Sequence, residues 1–107
     1  MKTFEGYQAL ATKTSFSLRN NRDRILLPVS GLQQEAGKIG SLLTAASASG
    51  KIRLTPEQIG ELKDRLSDVL WCVAVICGET GIAMQDVAVN SIAQIQTRVQ
   101  ALDPNRR

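Results

Sequence analysis

The fold of this chain is decided by the stretch Thr55-Pro-Glu-Gln-Ile-Gly-Glu-Leu-Lys-Asp-Arg-Leu-Ser-Asp-Val-Leu-Trp-Cys-Val-Ala-Val-Ile76. Its first four residues predict a helix start, because Thr caps a helix, Pro suits the first position and Gln suits the third. Apolar side chains then recur every three or four residues, which is the spacing of one helix face: Ile59, Leu62, Leu66, Val69, Leu70, Val73 and Ile76. We expect Gly78 and Gly81 to end this helix.

Two helices are predicted before this stretch. The first covers residues 3–14 and carries one apolar stripe, and a polar loop at residues 15–23 follows it. The second is expected to start after Pro28, with Ser30 as its N-cap. Its apolar pattern fades towards Gly50, which is a natural stop for a helix.

One more helix is predicted after the Thr55–Ile76 stretch, over residues 83–102. No alternating strand pattern competes with the helical periodicity, so the fold class is all-α. The 107 residues suffice for a single domain over the whole chain, residues 1–107. Short helices that each have one wide apolar face favour a four-helix bundle that a second copy completes by dimerisation.

The composition excludes several kinds of site. The chain has no histidine and two cysteines, so a Ser-His-Asp triad, a Cys-His pair and an ordinary zinc site are all excluded. Cys72 and Cys77 point about 140° apart around a helix, and we expect two reduced cysteines in the core. Any catalysis would depend on carboxylates, lysines, hydroxyls or a hard metal ion.

Charge and hydropathy bear on the cellular location of the protein and on its partners. No apolar run is long enough to cross a membrane, and no signal sequence is recognisable, so we expect a cytoplasmic protein. The net charge of +3 is small. The basic run at residues 19–24 is more typical of a solvated loop than of a phosphate-binding surface, and no nucleic-acid partner is expected.

Two charged blocks lie on the second and third predicted helices: Gly31-Leu-Gln-Gln-Glu-Ala-Gly-Lys38 and Arg65-Leu-Ser-Asp-Val-Leu-Trp71. Each places a carboxylate one helical turn from a base, so that Glu35 is a neighbour of Lys38. In the same way Asp68 is a neighbour of Arg65. If the two helices pack side by side, these groups converge at the edge of a cleft.

The two blocks resemble the MazG-like branch of the all-α nucleoside triphosphate pyrophosphohydrolases. The likeness continues, in the expected order, at Tyr7-Gln8, Glu61 to Asp64, Gly81-Ile82, Asp86-Val87, Asn90 and Arg98. The resemblance implies a homodimer or homotetramer that takes a nucleoside triphosphate or a related nucleotide. It also implies hydrolysis to a nucleoside monophosphate and pyrophosphate, with Mg²⁺ as the cofactor.

In that family the two blocks usually read Glu-x-x-Glu and Glu-x-x-Asp, and their four acids hold the metal. By position Glu35 and Asp68 match catalytic, metal-binding acids, whereas Lys38 and Arg65 replace the other two acids. Two acids and two bases cancel in charge, and a neutral cluster has little attraction for Mg²⁺. We therefore predict that metal binding is weak or lost and that pyrophosphohydrolase turnover is very low.

A displaced metal site is the alternative arrangement. Glu61 and Asp64 form their own Glu-x-x-Asp one turn earlier on the same face. They would join Glu35 and Asp68 around the metal.

The substrate-binding candidates are basic or amide side chains. Lys38 and Arg65 would hold phosphate oxygens, as arginine does with two parallel bonds, and the resemblance adds Asn90 and Arg98. Three functions stay open: an active or impaired hydrolase of this type, a non-catalytic relative that binds a nucleotide or a protein, and a helical interaction module whose likeness is only packing.

Overall fold

The structure is a computed structural model that describes residues 3–15, 21–48 and 50–102. Over these residues it consists of four helices and no strand: α1 (Phe4–Ser15), α2 (Asn21–Ala46), α3 (Pro56–Thr80) and α4 (Met84–Leu102). The all-α prediction is confirmed.

The start of α3 is the predicted one. The Thr55 hydroxyl accepts a hydrogen bond from the backbone N–H of Gln58 at 3.1 Å, and the Gln58 side chain accepts one from the N–H of Thr55 at 2.9 Å. This reciprocal pair satisfies two N–H groups that the first helical turn leaves free. At the other end Gly81 adopts a left-handed conformation with φ 74°, which favours glycine.

The prediction that Gly78 ends α3 is wrong, because the helix continues to Thr80. A Cβ atom at Gly78 would lie 2.5 Å from the Thr12 hydroxyl oxygen. A side chain at Gly78 would therefore overlap Thr12, and its absence lets α1 pack closely against α3 at this position.

The predicted start of α2 is also wrong. The helix begins at Asn21, which moves residues 21–23 from the predicted loop into the helix and places Pro28 and Ser30 in its interior. Residues 16–20 of the predicted loop lie outside the described residues. An interior proline costs a backbone hydrogen bond, but the Pro28 ring is among the most completely buried side chains. Its packing offsets the unfavourable helix propensity, as tertiary contacts often do.

The core lies around the C-terminal half of α3. Both α1 and α2 run antiparallel to α3, and α2 has the most extensive contact with it. The buried cluster combines residues of three helices: Ala11, Ala74, Val75, Cys77 and Met84. Cys72 and Cys77 are buried and unbridged, as predicted.

The N-terminal half of α3 and most of α4 carry exposed apolar side chains instead, among them Ile59, Leu66, Ile92 and Ile95. In the described part of the chain no single helix has the length and apolarity to cross a membrane. Joined across a bend of 113°, α3 and α4 together do meet that test of length and composition.

Candidate functional site

The contact between α2 and α3 brings the two charged blocks together. Glu35 of α2 faces Arg65 of α3, whose Nη1 atom lies 3.3 Å from each oxygen of the Glu35 carboxylate. Lys38, one turn further along α2, places its Nζ atom 3.5 Å from Glu35 Oε1. The Glu35 side chain is only 12% exposed, so both bases compensate a carboxylate that is largely removed from water.

Asp68 lies at the outer edge of this cluster. Its Oδ2 atom is 4.0 Å from Arg65 Nη1, and its side chain is 58% exposed. A pair at that distance and exposure contributes little free energy. Arg65 is therefore bound mainly to Glu35, and its Nε atom is covered without a hydrogen-bond partner among the described residues.

Cys72 lies one turn beyond Asp68, under the charge cluster. Burial raises the pKa of its thiol above the ordinary range, and the negative charges of Asp68 and Glu35 raise it further. Burial also raises the pKa of the Tyr7 hydroxyl, with smaller contributions from Cys72 and Asp68. Both pKa shifts have the same causes, burial and nearby acidic groups, because Tyr7 of α1 and Glu35 of α2 lie near Cys72 and Asp68 of α3.

Gly31 explains how α2 comes so close at this point. A Cβ atom at Gly31 would lie 3.3 Å from the Cys72 sulfur, which is closer than the usual separation of packed atoms. The first residue of the charged block therefore sets the distance between α2 and α3, and through it the distance between Glu35 and Arg65.

An open groove of about 680 Å³ adjoins the cluster. Its volume is within the roughly 300–1,000 Å³ range of small-ligand sites. It is lined by one face of α2 and one residue of α3: Gln34, Gly37, Lys38, Ser41, Leu42 and Glu61. The groove thus combines a cation, an amide, a hydroxyl and a carboxylate within reach of one ligand.

The remaining predicted site residues lie further out. Glu61 borders the groove, and Asp64 is an exposed residue of α3. Asn90 and Arg98 are exposed on α4, where Arg98 lines a separate shallow depression with Ala93, Gln94 and Thr97. Neither of these two makes a hydrogen bond or an ion pair with the Glu35 cluster.

The donor set at the cluster does not fit a magnesium ion. Mg²⁺ requires oxygen ligands in an octahedron, but both Glu35 oxygens contact cations of the protein. Among the described residues no three Asp, Glu, Cys or His side chains are grouped in a way that could hold a metal.

Sequence reasoning missed the groove residues Gln34 and Ser41. Their signal was present, because Gln34, Lys38 and Ser41 follow each other at spacings of four and three on one helix face. It is a weak signal, since polar residues at that spacing are common on solvated faces. Cys72 was predicted as a core residue, and its place beneath the two carboxylates became visible only with the packing of α2.

No family model, no curated protein and no solved structure matches this chain. The resemblance to the MazG-like proteins therefore depends on the residues quoted above and on their order along the chain.

Proposed function

We propose that this protein is a MazG-like nucleotide-binding protein whose Mg²⁺-dependent pyrophosphohydrolase activity is impaired or lost. The observation that carries the proposal is the position of Arg65 Nη1, 3.3 Å from both oxygens of Glu35. In this arrangement a protein cation occupies the side of the carboxylate that a metal would need.

The energetics favour the ion pair over a metal. A metal at Glu35 would have to displace Arg65 and would lie close to two positive side chains, because Lys38 is 3.5 Å from the same carboxylate. Like charges at that distance repel strongly when they are partly removed from water. Asp68, the other acid of the two charged blocks, is 58% exposed at the outer edge of the cluster, so it does not offset this repulsion.

The same cations favour a phosphate group. Their contacts with Glu35 are 3.3 and 3.5 Å long, whereas strong charge-assisted hydrogen bonds measure about 2.7–2.9 Å. Lys38 is 54% exposed, so its ammonium group retains donors that a phosphate oxygen can accept from. The adjoining groove then offers the Gln34 amide and the Ser41 hydroxyl to the rest of a nucleotide.

Binding without turnover follows from this chemistry. Attack on a triphosphate needs an activated water and compensation of phosphate charge, and a bound metal usually supplies both. Here Lys38 and Arg65 would compensate phosphate charge, but no metal-activated water is provided, and Glu35, the nearest carboxylate, is ion-paired with both bases. The chain also has no histidine to act as a general base near neutral pH.

Exchanging the two bases for acids tests the proposal. The double variant Lys38→Glu/Arg65→Glu restores the four acids, and Lys38→Gln/Arg65→Gln removes the cations without crowding four negative charges together. The control Lys13→Glu/Lys51→Glu makes the same change in net charge as Lys38→Glu/Arg65→Glu, at exposed positions outside the cluster. Titration calorimetry would measure binding of Mn²⁺, Mg²⁺ and a non-hydrolysable nucleoside triphosphate, with circular dichroism to check folding.

The wild-type protein and the control are expected to bind the nucleotide without metal and to release very little or no pyrophosphate from a panel of common and damaged nucleoside triphosphates. The Glu variant, or the Gln variant if the Glu variant does not fold, should bind Mn²⁺ at least tenfold more tightly than the wild type. Micromolar Mg²⁺ binding by the wild type, or metal-dependent pyrophosphate release at an ordinary enzymatic rate of about 1 s⁻¹ or more, would contradict the proposal.

A helical interaction module is the second candidate, and the exposed apolar side chains of α3 and α4 favour it. Nucleotide titration separates the two functions. A nucleotide that binds the wild type but not Lys38→Gln/Arg65→Gln supports the first, and the absence of nucleotide binding in both leaves only the second.

A further inference from the structure

The groove beside the charge cluster has opposite charges on its two walls. Of the described residues that line it, Lys38 of α2 is the cation and Glu61 of α3 is the acid. Lys38 has a partner of its own, because its Nζ atom lies 3.5 Å from Glu35. Glu61 is exposed and makes no hydrogen bond or ion pair with the residues that the structure describes. Its carboxylate is therefore available to a ligand.

The packing of α2 against α3 places these two side chains across the interface from each other. The two helices are antiparallel, and Glu35 contacts Arg65 at their interface. One turn forward along α2 from Glu35 leads to Lys38, and one turn back along α3 from Arg65 leads to Glu61. No ion pair joins Lys38 to Glu61, so a ligand can lie in the groove between them.

The middle of the groove has room for such a ligand. Gly37 is one of the lining residues, and a Cβ atom there would meet nothing within 4 Å. Leu42 adds an apolar surface and Ser41 a hydroxyl group. The volume of about 680 Å³ is that of a site for a small organic ligand. A nucleotide therefore fits with one end at each charged wall.

The two charges determine which end of a nucleotide lies at which wall. A phosphate is attracted by the Lys38 ammonium group and repelled by the Glu61 carboxylate, so the base lies at Glu61. An ionised carboxylate only accepts hydrogen bonds, and the base must therefore donate. Two parallel N–H bonds, one to each oxygen, are the strongest arrangement that a carboxylate can accept.

Guanine is the common base that offers this pair of donors. Its N1–H group and its N2 amino group are adjacent on one edge. Adenine and cytosine have a ring nitrogen with a lone pair beside their amino group, and uracil has one N–H group between two carbonyl oxygens. Each of these bases would therefore direct at least one acceptor at the carboxylate, which has no hydrogen to give.

We propose that Glu61 reads the base of the bound nucleotide and selects guanine. This inference rests on the proposed function and deepens it by naming the base and the residue that recognises it. It gives Glu61 a different role from that in the displaced metal site, for which the described residues provide no group of three ligands. A bidentate contact of this kind discriminates between bases by roughly tenfold or more.

Replacing Glu61 by glutamine tests the proposal. Glu61→Gln keeps the size of the side chain and exchanges one acceptor for a donor. Glu57→Gln is the matched control, because it removes the same charge from an exposed position of α3 outside the groove lining. Calorimetry without metal would measure binding of the non-hydrolysable triphosphates of guanosine, inosine, adenosine and uridine. Inosine keeps N1–H and lacks the N2 amino group, so it isolates the second hydrogen bond.

The readout is the ratio of affinities for the four nucleotides, since a change common to all of them reports charge and not the base. The wild type and Glu57→Gln should bind the guanosine nucleotide at least about tenfold more tightly than each of the others. Glu61→Gln should lose this preference and still bind the adenosine nucleotide, because Lys38 and its phosphate contact remain. Circular dichroism should be unchanged in both variants.

Filling the groove tests where the nucleotide lies. Gly37→Leu directs a side chain into open space and should weaken binding of all four nucleotides at least about tenfold, with unchanged circular dichroism. Equal affinities for the four nucleotides in the wild type would overturn this inference and leave the proposed function intact. A guanosine preference that survives in Glu61→Gln or in Gly37→Leu would do the same. A wild type that binds none of the four would overturn the proposed function as well.

Discussion

Gly78 shows how one hydrogen atom in place of a methyl group controls the packing of two helices. An alanine Cβ at this position would lie 2.5 Å from the Thr12 hydroxyl oxygen and 3.2 Å from its methyl carbon. Thr12 cannot turn away freely, because its hydroxyl donates to the Gln8 carbonyl oxygen at 2.7 Å. We predict that Gly78→Ala lowers the free energy of unfolding by about 1–3 kcal/mol, the usual cost of overpacking, measured by urea denaturation.

Gly60 in the same helix provides the matched control. A Cβ atom there would meet nothing within 4 Å, so Gly60→Ala should raise the free energy of unfolding by about 0.5–1 kcal/mol through helix propensity alone. Equal effects of the two substitutions would show that α1 does not press against α3 at Gly78.

Cys72 makes stability depend on pH in the alkaline range. Burial, followed by the charges of Asp68 and Glu35, raises the pKa of its thiol in the folded protein. Unfolding restores the ordinary value, so the unfolded chain binds fewer protons between the two pKa values and stability falls as pH rises. The contribution is complete below the ordinary thiol pKa of about 8.5 and is lost as pH rises through the folded value.

Urea denaturation between pH 7 and pH 10 checks this prediction. The free energy of unfolding of the wild type should decrease across the range, and Cys72→Ala should show a smaller decrease despite its lower stability at pH 7. The raised pKa of the Tyr7 hydroxyl adds a second decrease above about pH 10, which the alanine variant should retain in part, because burial is its largest cause and Cys72 a smaller one. Parallel curves for the two proteins would contradict a role for Cys72.

At the scale of helices, Gln8 connects α1 to the start of α4. Its Nε2 atom donates to the Ile82 carbonyl oxygen at 2.8 Å, and its Oε1 atom accepts from the Met84 N–H at 2.8 Å. The Met84 N–H belongs to the first turn of α4, where the helix itself provides no acceptor. A side chain of another helix therefore performs the capping role.

We predict that Gln8→Ala lowers the free energy of unfolding by about 1–2 kcal/mol, as the loss of a helix cap does. It should also speed hydrogen exchange at the backbone amides of the first turn of α4. The amides in the middle of α2 should exchange as in the wild type after correction for global stability. Gln94→Ala, an exposed glutamine of α4, serves as the control, and the same exchange rates in both variants would exclude this connection.

At the scale of the whole molecule, the dimer that the exposed apolar faces of α3 and α4 predict would make thermal stability depend on protein concentration. A partner that binds only the folded chain stabilises it by mass action. Raising the concentration a hundredfold should then raise the midpoint of thermal unfolding by about 5 °C, given the usual relation between free energy and midpoint for a domain of this size. Calorimetry between 2 and 200 μM would measure the change.

Leu66→Lys places a charge on the exposed apolar face of α3 and should have a midpoint that does not change with concentration. Thr97→Lys, on the face of α4 opposite Ile95, is the control and should follow the wild type. A wild-type midpoint that is constant over this range would contradict dimerisation.

Sequence alone determined the helical class, the start of α3, its C-cap at Gly81 and the extent of α4. Capping and helical periodicity depend on residues within one or two turns, so Thr55, Gln58 and Gly81 could be recognised without knowledge of the rest of the chain. The pairing of Glu35 with Lys38 is equally local, because residues three apart on a helix are neighbours. The two charged blocks, on which the family resemblance depends, are likewise short stretches that can be recognised without the rest of the structure.

Only the tertiary structure decided where α2 begins, because burial of the Pro28 ring outweighs the local signal for a loop. It also decided that Gly78 allows α1 to pack closely against α3 and that Glu35 contacts Arg65 with both of its oxygens. These outcomes depend on groups that are distant in sequence and meet only when helices pack. The spacing of apolar residues predicted the apolar faces of α3 and α4. Which half of each helix is covered depends on the 113° turn between the two helices.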